Sequence, residues 1–207
     1  MQLKPYFIKT PNWIKRLFNK QIWFVETDRK VLFLTFDDGP IPEVTPWVLD
    51  ELTKYNAKAT FFCIGDNVRK YPNVYKQLLT NGHQVGNHTF SHVNGWKTNS
   101  NHYLESTEKA ASYINSKLFR PPHGKVKPSQ VRALRKQGYK IIMWDVLSAD
   151  FDQNISPEQC LENVLNNTEK GSIVVFHDSL KAKKNLYYTL PKVLKHFSNK
   201  GFEFKKL

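Results

Sequence analysis

The chain has 207 residues, 40% of them apolar and 24% charged, with 11 Pro and 9 Gly spread along its length. That suffices for one domain with a sizeable core, is too little for two ordinary ones, and excludes a collagen, a disulfide scaffold or a disordered chain. Lys and Arg outnumber Asp and Glu by 31 to 18, a net charge of +13. The lysines are dispersed (KAKK at 181–184 is the densest run) and no nucleic-acid motif accompanies them, so the reading is a solvated basic surface without a specific nucleic-acid partner.

The first 30 residues hold no secretory signal, because no apolar run of the necessary length follows the basic start. No later stretch approaches the roughly 20 apolar residues of a membrane span. Read alone, this places the chain in the cytoplasm. Thr10 and Pro11 are suited to open a short amphipathic helix, with Trp13, Ile14, Leu17 and Phe18 on one stripe and Lys15, Arg16 and Lys20 outside it. Such a helix can lie on an anionic bilayer. The expectation is instead that the stripe packs on the main domain, residues 1–30 forming an N-terminal segment and 31–207 the domain itself.

From residue 31, short apolar runs alternate with helical patterns. Strands are predicted at 31–36, 59–64, 83–87, 117–120, 140–146, 172–177 and 202–205. Helices are predicted at about 44–55, 67–81, 101–116, 128–137, 157–166 and 186–199, with Gly82, Gly138, Gly171 and Gly201 at their stops. Cys63 and Cys160 fall in apolar segments far apart and are expected as buried free thiols. The alternation predicts a single α/β domain with a parallel sheet and outer helices.

Ligand sites in such folds lie at the carboxyl ends of strands, and the ionisable groups fall there. Asp37 and Asp38 follow the first strand, His88 and His92 the third, and Arg120 the fourth; Asp145 and Asp150 end or follow the fifth, and His177 ends the sixth. Two adjacent carboxylates after an apolar strand need a cation or a donor to stay ionised. His88 and His92, spaced to share one face of a helical turn, make with a carboxylate from the first strand a two-His, one-Asp metal set with open positions. Arg120 needs a carboxylate, and Asp37 or Asp38 is available. Asp150 can accept a hydrogen bond from His177 and raise its pKa toward a general acid's range. His83, His102 and His196 read as packing or surface residues, while Trp96 and Trp144 suit either a sugar-stacking face or the core.

TFDDGP (35–40), HTFSH (88–92), RPPHG (120–124), SADF (148–151) and VFH (175–177) occur in an order that resembles the five motifs of the polysaccharide deacetylases, the NodB-homology or carbohydrate esterase family four type. The resemblance spans about residues 31–205 and implies a distorted (β/α)7 barrel. It implies Asp37 as catalytic base, held by Arg120, and His177 as acid, tuned by Asp150. Asp38, His88 and His92 become ligands of one divalent metal, Zn2+ first, with Co2+, Ni2+ or Mn2+ also accepted. Pro122, His123, Trp144 and Phe151 would form the substrate and oxyanion pocket. His123 stands where the family has Tyr, Phe151 where it has Trp, and Val175 where it has Leu; none of these removes a reacting group. The implied activity is hydrolysis of N-acetyl groups from amino-sugar residues of a glycan (peptidoglycan, chitin or poly-N-acetylglucosamine type), releasing acetate. An O-acetyl esterase acting on xylan would use the same groups, whereas a pure glycan-binding module would need neither base nor acid. The expected partner is the glycan and the expected state a monomer. The family's usual place of work, in the envelope or outside the cell, stands against the cytoplasmic reading.

Overall fold

The computed structural model describes residues 6–207; residues 1–5 of the predicted N-terminal segment lie outside the described residues. Strand β1 (Val31–Asp37) is buried along its whole length, as an apolar run covered on both faces must be. Its alternate side chains go to different places. Leu32, Leu34 and Phe36 join the main core with Val48 and Leu52 of α2 (Thr45–Thr53) and Leu190 and Val193 of α8 (Lys183–Asn199). Val31 and Phe33 turn the other way, into a smaller cluster with Phe62, Ile142 and Ile173 inside the curled sheet. Thr35 and Asp37 continue that inward row, which therefore turns from apolar to polar at the strand's carboxyl end.

The remaining strands are β2 (Thr60–Cys63), β3 (Gln84–Asn87), β4 (Leu118–Phe119), β5 (Lys140–Ile141), β6 (Val146–Leu147), β7 (Ile173–His177) and β8 (Glu203–Phe204). All pairs are parallel, in the order β5-β4-β3-β2-β1-β7-β6, with β8 beside the start of β1. The two ends of that path, β5 and β6, are halves of one stretch of chain, so the sheet curls back on itself as a distorted barrel. The single strand predicted over 140–146 is thus found as two. Its residues change neighbours midway: Ile142 N–H donates to the Phe119 carbonyl at 2.8 Å, and Asp145 N–H to the Ile173 carbonyl at 3.0 Å. The helix predicted over 67–81 is also divided, into α3 (Gly65–Lys70) and α4 (Pro72–Thr80). Pro72 cannot donate to a continuing helix but suits the first position of a new one. Helices α5 (Ser100–Ala111), α6 (Pro128–Lys136) and α7 (Pro157–Leu165) complete the outer layer.

The segment before β1 runs along the divided strand. Leu147 N–H donates to the Ile8 carbonyl, Thr10 N–H to that of Asp145 and Met143 N–H to that of Ile22, at 2.8, 2.8 and 2.7 Å. Thr10 does not cap helix α1 (Asn12–Leu17), because its hydroxyl donates to the Trp144 carbonyl at 2.8 Å. Nor does the apolar stripe pack on the domain: Trp13 and Leu17 are 62% and 66% exposed. What holds the segment is its backbone and its lysines. Lys9 and Lys15 both pair with Asp145, a fully buried carboxylate that also accepts from Ser172 Oγ. Cys63 and Cys160 are buried and unbridged, and burial pushes both thiols up, Cys160 to about 12. No helix among the described residues is long and apolar enough to cross a membrane.

Candidate active site

Arg120, at the end of β4, is a fully buried side chain on the inside of the barrel. Its Nε and Nη2 donate to the carbonyls of Ile142 and Met143, at 3.2 and 2.8 Å. Its Nη1 donates to Thr35 Oγ1 at 2.7 Å and to Asp37 Oδ1 at 2.8 Å. The guanidinium lies 4.2 Å from the Phe62 ring centroid, the stacked, multiply bonded setting that suits Arg and not Lys. Of the two carboxylates left open by the sequence, Arg120 takes Asp37.

Asp38 faces elsewhere because the backbone reverses there, with φ 81°. The turn is held from three sides. Asn67 Nδ2 donates to the Asp38 carbonyl at 2.7 Å, Ile64 N–H to the Gly39 carbonyl at 2.9 Å, and Gly39 N–H to Asp178 Oδ1 at 3.1 Å. Position 39 has to be glycine, since a Cβ there would stand 1.9 Å from Asp178 Oδ2. Asp178 is fully enclosed and takes a hydrogen bond from Thr45 Oγ1 at 2.6 Å, and burial pushes its carboxyl up to about 8. Asp178 lies outside the expected site residues; the signal for it in the sequence is a carboxylate directly after His177 at a strand end.

His88 and His92 do not share a helical turn as the spacing suggested. The motif is an irregular loop in which Thr89 and His92 both have positive φ (62° and 54°) and Asn87 Oδ1 accepts from Thr89 N–H at 2.8 Å. The loop still brings both rings to Asp38: His92 Nε2 lies 3.1 Å and His88 Nε2 3.7 Å from Asp38 Oδ1. Nδ1 of His88 donates to the Arg120 carbonyl at 2.7 Å, which fixes the tautomer that leaves Nε2 free as a ligand. Burial drives the His88 pKa down to about 4, keeping the ring neutral, the state a metal requires. Burial opposes the charge of Asp38, but the neighbouring His92 and the fields of His177 and His88 outweigh it and hold the carboxyl below its ordinary range. One ligand atom from each of the three residues lies within 4.8 Å of the others, and buried Asp38 Oδ1 has no well-formed hydrogen bond among the described residues. A carboxylate oxygen facing two imidazole nitrogens is a donor set that fits a divalent cation.

On the other side of the cleft, His177 ends β7. Asp150, with no exposed surface, accepts from His177 N–H at 2.8 Å and from its Nδ1 at 2.7 Å. Burial lowers the His177 pKa, yet the charge and hydrogen bond of Asp150, aided by Asp38 and Asp37, carry it up to about 9. A shift in that direction favours the protonated ring, the form an acid needs.

These groups meet in a cleft of about 400 Å³ whose walls include His123, Trp144, Phe151 and Val175. His123 has φ 58° and its ring centroid lies 4.5 Å from that of His92. Pro122 is buried and does not line the cleft. Asp145 is not part of the site either, since it points out of the barrel to Lys9 and Lys15. Trp96 is 61% exposed with Lys125 over its ring, and is not a core residue. His83 is buried, accepts from Ala59 N–H and is driven by burial to about 4, as a packing residue; His102 is at the surface beside Glu105. Tyr6 was missed. It lies outside every motif, yet its ring meets Phe151 edge-on at 5.6 Å and its hydroxyl donates to Asp152. Of six described non-glycine residues with positive φ, five (Asp38, Thr89, His92, His123 and Ala149) stand at these strand ends, the clustering of backbone strain that marks functional sites.

Known proteins of one family resemble the chain in sequence and fold. The family profile described as "Polysaccharide deacetylase" matches residues 24–142. Two peptidoglycan-N-acetylglucosamine deacetylases of Bacillus cereus are 35% and 34% identical. The matches cover 84% and 88% of this chain, and 66% and 88% of those proteins. A chitooligosaccharide deacetylase of Azorhizobium caulinodans is 32% identical over 74% of this chain and 76% of its own length. Among solved structures, a peptidoglycan N-acetylglucosamine deacetylase superposes with a TM-score of 0.87 and 32% identity, covering 95% of this chain and 94% of that one. A carbohydrate esterase family four pseudoenzyme mutant with restored activity superposes at 0.80 with 25% identity, covering 90% of this chain and 69% of that one. By sequence, by fold and by the order of its motifs, the chain belongs to the polysaccharide deacetylase family of hydrolases.

Proposed function

We propose that this protein removes N-acetyl groups from amino-sugar residues of a peptidoglycan-type glycan, releasing acetate and leaving a free amine. What supports the reading is that Asp38, His88 and His92, with ligand atoms within 4.8 Å of one another, line one cleft with Asp37, paired to Arg120, and His177, paired to Asp150. Asp38, His88 and His92 would hold one divalent cation, zinc suiting the donor set, and it would supply Lewis acidity and a lowered water pKa. Asp37 takes the proton of the attacking water, its free oxygen oriented because Oδ1 is fixed by Arg120. The backbone N–H of His123 is the candidate donor to the tetrahedral oxyanion. It lies inside the 3-10 turn Pro122–Gly124, where the N–H groups of Gly124 and Lys125 already serve the carbonyls of Pro121 and Pro122. One such preorganised donor is worth about 3–4 kcal/mol. His177, protonated and with Nδ1 engaged by Asp150, presents Nε2 to the departing nitrogen and gives it a proton.

The peptidoglycan class is supported by the two Bacillus cereus relatives, and N-acetylglucosamine oligomers are the soluble probe. Acetate release from these and from peptidoglycan is expected, with much slower release from acetylated xylan. Turnover of the xylan ester alone would overturn the amide reading.

The acid's role has its own test. A raised folded pKa keeps His177 protonated below that pKa, so activity is lost as pH climbs through it. Asp150→Asn removes the main cause of the rise. At equal metal content, the alkaline limb of kcat/KM is expected to move to lower pH and kcat at pH 8 to fall by roughly 10²-fold or more. An unmoved alkaline limb would remove His177 from the acid's role.

A further inference from the structure

The stripe expected to pack on the main domain faces solvent, and it is continuous with a charged groove. Trp13 and Leu17, one turn apart on α1, are followed by Phe18 at 41% exposure. Lys15, on the opposite side of the same helix, is drawn inward onto Asp145, so α1 is held with the indole turned outward. Between α1 and α6 lies a hollow of about 520 Å³, larger than the catalytic cleft. Leu17, Phe18 and Val131 line it together with Arg132, Arg135 and Lys136. No carboxylate lines the hollow. Those three cations, like Arg16 and Lys20, form no ion pair among the described residues. Scattered exposed apolar residues are ordinary; a contiguous group rimmed by one sign of charge marks an interaction surface.

We propose that this face docks the protein on an anionic lipid bilayer. Trp13, Leu17 and Phe18 enter the headgroup region, while Arg16, Lys20 and the three cations of α6 meet lipid phosphates. The chemistry discriminates among occupants. A soluble polyanion would satisfy the cations and leave the Trp-Leu-Phe wedge in water. A second copy, related by a two-fold axis, would set the same unpaired cations against each other. A bilayer offers apolar depth and phosphate together.

The test is sedimentation of the full chain with phosphatidylcholine vesicles, with and without one-third phosphatidylglycerol, combined with tryptophan quenching by brominated lipid. Binding is expected only to the anionic vesicles, falling as salt is raised. Arg132→Gln with Arg135→Gln is expected to lower the partition coefficient about thirtyfold, about fivefold for each charge removed. Trp13→Ala with Leu17→Ala is expected to abolish binding and quenching, with the melting temperature and the turnover of a soluble oligosaccharide unchanged. Equal binding to neutral vesicles, or full binding by both variants, would overturn the proposal. So would vesicle association without quenching that soluble polyphosphate competes away, or a dimer sensitive to Trp13→Ala in a chain that ignores vesicles.

Discussion

Arg120→Met is expected to destabilise the protein by about 3–5 kcal/mol, the cost of leaving a buried charge without its partner. For a chain of this size that corresponds to a fall in melting temperature of roughly 6–20 °C. The origin is specific: Asp37 is 4% exposed and its Oδ1 pairs with this guanidinium, while three further acceptors, Thr35 Oγ1 and the carbonyls of Ile142 and Met143, lose their donor at once. Adding Asp37→Asn to the same chain is expected to restore part of the loss, because no charge then remains unpaired. Calorimetry on the two single variants and the double variant reads the coupling directly. Additive losses would show that Arg120 acts through the carbonyls it gathers and not through Asp37.

Asp37→Asn alone is expected to fold and to bind glycan as the parent does, while kcat falls by about 10²–10⁴-fold, the usual worth of a positioned base. KM should change little, since Asp37 is held by the protein and its proposed work begins only as water attacks. Steady-state kinetics on N-acetylglucosamine oligomers separates the two parameters. A large rise in KM at unchanged kcat would recast Asp37 as a substrate-binding group.

Much of this site was legible from residue order. Apolar runs followed at once by ionisable groups located Asp37, Asp38, Arg120 and His177, because a parallel sheet forces its polar chemistry to the carboxyl ends of its strands. Periodicity served less well where the chain departs from regular structure. The HTFSH segment has the spacing of a helical turn, yet Asn87 and two positive-φ residues hold it as a loop, which no i,i+4 argument registers. The place of Asp150 beyond the neighbouring strand pairs it with His177, whereas Asp145 stands among the same strand-end groups; the break in the strand after Ile142 turns Asp145 to Lys9 and Lys15 instead. Asp178 went unread because its partners, Gly39 and Thr45, lie far away in the chain. The stripe of α1 shows the limit most clearly: amphipathicity identifies an apolar face and says nothing about what covers it.

Asp38, His88 and His92 are proposed to act as a metal cage distinct from the proton-transfer groups beside it. Metal content and acetate release, measured on the same preparations of the parent, Asp37→Asn and His88→Ala, test this most directly. About one equivalent of divalent cation is expected in the parent and in Asp37→Asn, with little in His88→Ala, and acetate is expected from the parent alone. Full metal content in His88→Ala, or undiminished acetate release by the parent after stripping with a chelator, would contradict it.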